Sequence, residues 1–81
     1  MNMTLRHIAP NQTEITTAGG DIVLFSYSTP VAAFVAPRWR SGGGYIRTEE
    51  KYSATTTDHI NEWLGDRFAK IVPQDDINAI A

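Results

Sequence analysis

The feature that most limits the fold of this chain is one fully punctuated helix signal, ATTTDHINEWLG (54–65), set among short extended runs. Thr55-Thr56-Thr57-Asp58 has the form of a capping box. A hydroxyl at the N-cap accepts from an orphan backbone N–H, and the acid three residues on reaches back. Ile60, Trp63 and Leu64 then fall at i, i+3 and i+4, an apolar stripe made for burial. Gly65 stands where a left-handed residue ends a helix. Start, face and stop agree on one principal helix over about residues 56–64. Such a helix has one apolar side only, so it needs a sheet to lie on.

The rest of the chain supplies that sheet. TLRHI (4–8) alternates loosely, Pro10-Asn11 marks a turn, and TEITT (13–17) runs into the hairpin signal Ala18-Gly19-Gly20-Asp21. IVLFSYS (22–28) is the clearest strand, with one face reading Ile22, Leu24, Ser26, Ser28 and the other Val23, Phe25, Tyr27. Both faces start apolar, which predicts a central strand covered by a helix. Thr29-Pro30 interrupts it, and VAAFVA (31–36) is either its bent continuation or the next strand. Tyr45 to Thr48 resumes strand character, FAKIV (68–72) reads as a short strand, and Pro73 opens a final short helix carrying Asp75, Asp76, Ile77 and Ile80. The expected fold is a single α+β domain over 1–81. It has a small antiparallel sheet of 4–5 strands, one principal helix packed on it and a short C-terminal helix.

Hydroxyls beside Asp58 and His59 raise the question of catalysis. On a helix neighbouring side chains diverge by about 100°, so Asp58 would not orient His59. His7, the other histidine, lies in the first extended segment, and Ser26, Tyr27, Ser28 and Ser53 show no base partner in the sequence. Two histidines without any cysteine give no metal-ligand spacing. The expectation is therefore a protein that is not an enzyme and needs neither cofactor nor metal. Absent cysteine fits a reducing cytoplasm, and no apolar run is long enough to cross a membrane.

FSYSTPVAAFV (25–35), YIRTEEKYSATTTDHINEWL (45–64) and IVPQ (71–74) together resemble a family of small uncharacterised proteins encoded in bacteriophages and prophages. The resemblance covers most of the chain after residue 12. It brings no catalytic residues with it, and what it implies is context: an accessory gene of a phage or mobile element. Proteins of that kind often block host machinery, so the resemblance points to an anti-CRISPR or other anti-defence inhibitor acting in the host cytoplasm.

Charge and aromatic placement suggest where such a protein would bind. A net charge of −2 is unlike the basic balance of most nucleic-acid binders. It is also too small for a DNA mimic acting by bulk charge. The middle is basic, with Arg38, Arg40, Arg47 and Lys51 against Glu49 and Glu50, whereas Asp58, Glu62, Asp66, Asp75 and Asp76 outnumber Arg67 and Lys70 further on. PRWRSGGGYIR (37–47) places Trp39 between two arginines in a glycine-rich loop, and tryptophan, tyrosine and arginine dominate interface hot spots. The predicted partner-binding residues are Arg38, Trp39, Arg40, Tyr45, Arg47, Asp58, Glu62 and Asp66. The expected partner is a host protein complex, a CRISPR surveillance complex above all, met by the acidic C-terminal third. The competing readings are a nucleic-acid-binding accessory protein that uses the Arg38–Arg47 loop and a virion structural or assembly factor. A homodimer is compatible with each. No membrane partner is expected.

Overall fold

The computed structural model of the protein describes residues 4–37 and 42–80. Five strands come first: β1 (Thr4–Ala9), β2 (Gln12–Thr16), β3 (Ile22–Ser26), β4 (Thr29–Val35) and β5 (Gly44–Thr48). Helix α1 (Ala54–Leu64), strand β6 (Ala69–Val72) and helix α2 (Gln74–Ile80) follow. The α+β class and the order of elements are those the sequence predicts. The sheet itself differs. It has six strands in sequential order, and β5 and β6 pair in parallel, so it is mixed rather than antiparallel. The reason is the position of α1. A helix inserted between two strands of one sheet carries the chain back along its face, and the second strand then enters in the direction of the first.

The hairpins follow from local chemistry. Between β1 and β2, Pro10 presets a negative φ and Asn11 takes φ 62°, a left-handed position that asparagine tolerates. Between β2 and β3, Gly20 at φ 91° completes the turn predicted at 18–21. Its N–H donates to Thr17 O at 3.0 Å, while Thr17 N–H donates to Asp21 O at 2.8 Å. Residues 22–36 form two strands, not one bent strand, because Tyr27 turns the chain at φ 58°. Pro30 is accommodated just after that turn. The β3–β4 register shifts between Leu24 and Phe25, and the resulting bulge spares the ladder an N–H that proline lacks.

Val23 and Leu24 are both fully buried, as the two-sided apolar pattern of β3 requires. Leu24, Val31 and Ala32 meet Ile60 and Leu64 of α1 in the main core, with Ile8, Tyr45, Trp63 and Ala69 packed around them. Ala33, one residue on from Ala32, points to the other side and is also fully buried. There α2 lies against β4 and β5 with Ile77 as its buried residue. The sheet is thus a middle layer between two helices of unequal length. The sheet ends at β1 on one side and β6 on the other.

Candidate functional site

Helix α1 begins two residues before its predicted start. Ser53 is the N-cap, extended at φ −156°, and its Oγ accepts from Thr56 N–H at 3.1 Å. Thr55 is an exposed residue within the first turn, and the predicted pairing of Thr55 with Asp58 does not form. Serine wins because a cap at 53 places Thr56 on the inner side of the helix, where its hydroxyl finds a buried partner. The C-terminal end is as predicted: Gly65 takes φ 59° and its N–H donates to Asn61 O at 2.9 Å.

The inner stripe of α1 is longer than the apolar residues alone suggest. Thr56, His59, Ile60, Trp63 and Leu64 follow the i, i+3, i+4, i+7, i+8 spacing of one helix face. At its N-terminal end the stripe is polar. His59 Nδ1 lies 2.8 Å from Ser26 Oγ, and Ser26 Oγ lies 3.0 Å from Thr56 Oγ1. Ser53 O–H donates to Thr56 Oγ1 at 3.3 Å. Followed in that direction, Thr56 donates to Ser26 and Ser26 donates to His59 Nδ1, which puts the ring proton on Nε2. Ser26 therefore does have a base partner, contrary to its sequence reading. The partner lies 33 residues away on another element, where no local pattern could reveal it.

A serine beside an imidazole is the start of a nucleophile–base pair. Here Ser26 is only 2% exposed, and no described residue forms a hydrogen bond to His59 Nε2. Tyr27 covers the pair, its ring centroid 6.0 Å from that of His59. The arrangement ties α1 to β3 and leaves no buried side-chain polar atom unsatisfied among the described residues. Asp58, the neighbour of His59 in sequence, is exposed on the far side of the helix.

At the other end of α1 the contacts are aromatic and charged. Trp63 Nε1–H donates to Glu14 Oε2 at 2.7 Å. Tyr45 packs edge-on to Trp63 at 5.8 Å and tilted against Phe34 at 4.9 Å. Arg67 places its guanidinium over the Tyr45 ring, 5.2 Å from the centroid, and donates to Trp63 O at 3.2 Å and Leu64 O at 3.4 Å. It thereby satisfies carbonyls that the end of a helix leaves open. These groups, with Arg6 and Ile22, line a cleft of about 300 Å³.

A family model matches residues 3–79, nearly the whole of this arrangement. The chain belongs to DUF8033, a family of unknown function. No curated protein and no solved structure matches it.

The structure of this DUF8033 chain separates the residues that sequence groups as partner-binding. Arg38, Trp39 and Arg40 lie outside the described residues. Tyr45 is half-buried in β5 against Trp63 of α1, and Arg47 on the same side donates to Asn61 Oδ1 at 3.2 Å. Asp58, Glu62 and Asp66 are exposed. Gly42 and Gly43 lead into strand β5. Gly43 is fixed by contact: it sits at φ 71°, and a Cβ there would overlap the Val35 carbonyl oxygen. Among the described residues no group of three or more potential metal ligands occurs, and no helix is long and apolar enough to cross a membrane. What the sequence reading missed are Ser26, Thr56 and His59 at one end of α1, and Arg6 and Glu14 at the other.

Proposed function

We propose that this protein is a non-enzymatic inhibitor that binds a host defence complex in the host cytoplasm and blocks its surface, in the manner of phage-encoded anti-CRISPR proteins. The observation that carries this reading is the outer side of α1. Asp58 and Glu62 stand four residues apart on it, with Asp66 just beyond, all exposed and none in an ion pair with a described residue. This placement does nothing for the helix itself. Like charges at i, i+4 repel, and a carboxylate helps a helix dipole at its N-terminus, whereas the first turn of α1 has no acid. Glu62 and Asp66 instead sit at or beyond the C-terminal turn, the unfavourable end.

A cationic surface, such as the nucleic-acid groove of a CRISPR surveillance complex, would relieve that repulsion and gain two carboxylate contacts from one rigid rod and a third just past its end. The phage resemblance supports the choice of partner. The test is a CRISPR interference assay in cells expressing the wild-type protein or the double variant Asp58→Lys, Glu62→Lys. Both side chains are exposed, so the variant is expected to fold as the wild type does by circular dichroism. Inhibition is expected to fall at least about tenfold, the loss of about 1.4 kcal/mol or more of charge complementarity. Undiminished inhibition by the folded variant would remove the acidic face from the mechanism, and no inhibition by the wild type would remove the reading itself.

A further inference from the structure

The cleft beneath the C-terminal end of α1 holds more hydrogen-bonding capacity than the fold uses. Arg6 stands directly opposite Glu14 in the β1–β2 register, yet it forms no ion pair or hydrogen bond with any described residue. Glu14 is held instead by the Trp63 indole through Oε2, which leaves its Oε1 without a donor among the described residues. Arg67 uses Nη1 on the helix carbonyls, so its Nε and Nη2 donors have no acceptor among the described residues. The Tyr45 hydroxyl is likewise unused. Arg6, Glu14 and Trp63 also line an adjoining cleft of about 310 Å³, so the two lobes share one wall.

We propose that this two-lobed groove binds a nucleoside monophosphate unit whose base carries an exocyclic amine. Two guanidinium groups suit a phosphate, which offers several acceptor oxygens to their planar forks. The second carboxylate oxygen of Glu14 can accept from a donor, which an exocyclic amine supplies and a bare anion does not. The half-buried Trp63 ring, with Tyr45 and Phe34 beside it, gives a flat base the apolar wall it needs. Each lobe is at the small end of ligand sites, and together they have room for base and sugar-phosphate. The same unit could arrive as a free nucleotide or as the phosphorylated end of a single strand, and the chemistry of recognition is shared. This inference does not rest on the acidic outer side of α1, although Glu62 from that side also lines the second lobe.

The test is an NMR titration on the ¹⁵N-labelled full chain carrying Trp39→Phe, which leaves Trp63 as the single indole. The expected result is a saturable shift of the indole N–H signal with adenosine 5′-monophosphate. Adenosine or inorganic phosphate should each need at least about tenfold more ligand, as loss of a charged contact predicts. A 5′-phosphorylated oligodeoxyadenylate separates the sources: tighter binding than the mononucleotide assigns the site to a strand end, and weaker binding assigns it to free nucleotide. Arg6→Ala, on an exposed edge strand, should weaken binding about tenfold or more while thermal unfolding stays the same. Arg67→Lys, which keeps the charge and loses the fork, should weaken it as well. Absence of a saturable shift with either nucleotide ligand would overturn the proposal. So would adenosine or phosphate alone matching the mononucleotide, or Arg6→Ala binding as the wild type does.

Discussion

At its N-terminal end α1 is held to the sheet by a buried run of hydroxyls ending on an imidazole. About two turns later it is held by rings, a carboxylate and a guanidinium. At the first end every buried side-chain polar atom has a partner and Ser26 is almost fully enclosed. At the second, Arg6, Arg67 and Glu14 keep unused capacity around an open cleft. The difference follows from what each end rests on. Thr56 and His59 sit over Ser26 on a central strand, where unpaired polar atoms are costly, so the network had to be complete. Trp63 reaches outward over β2 and β5, where water can satisfy what the protein does not. A closed polar network holds elements in place; an open one can take a ligand.

Three sets of substitutions probe this contrast. Trp63→Ala should have the largest effect, about 3–4 kcal/mol of destabilisation in chemical denaturation, because it removes ring packing on Tyr45 and the bond to Glu14 together. An effect under about 1 kcal/mol would mean that the open end contributes little to holding the helix.

Ser26→Ala should cost about 1–3 kcal/mol, since it strands both Thr56 Oγ1 and His59 Nδ1 without their buried partner. In a double-mutant cycle with His59→Leu the two changes should couple by at least about 0.5 kcal/mol. Strict additivity would show that the 2.8 Å contact carries no energy of its own.

Smallest is the cap. Ser53→Ala should lower stability by about 1 kcal/mol, whereas Thr55→Ala should stay within about 0.5 kcal/mol of wild type. The reverse order would restore Thr55 as the cap.

Much of the first contrast was within reach of the sequence. Ser26 falls on the same alternating face of β3 as Ile22 and Leu24, which places it toward the core. Extending the stripe Ile60, Trp63, Leu64 back by one turn arrives at His59 and Thr56. A polar residue on each of two faces bound for burial is a signal that they meet. The cap was misplaced because Ser53 and Thr55 can both cap through a hydroxyl while only 55–58 carries an acid three residues on, and the buried partner of Thr56 decides for Ser53. At the other end of α1, Glu14 and Trp63 are 49 residues apart, and no periodicity connects them.

The sheet shows the same division. Most extended segments, the first two turns and the two helices were legible because each rests on residues close in sequence: Pro10-Asn11, Gly19-Gly20, the helix stripe and Gly65. That β6 joins the sheet beside β5 and runs parallel to it depends on how a helix and a sheet pack, and the FAKIV stretch carries no direction of its own. By itself the sequence determined both helices, most of the strands and which faces turn inward, because alternation and helical spacing are local, but it left open whether 22–36 is one strand or two. Tertiary structure alone decided that Ser26 meets His59, that Trp63 binds Glu14 and that Arg6 goes without a partner among the described residues. Those pairings depend on which strand lies beneath α1, which is fixed only when the sheet and the helix close on one another.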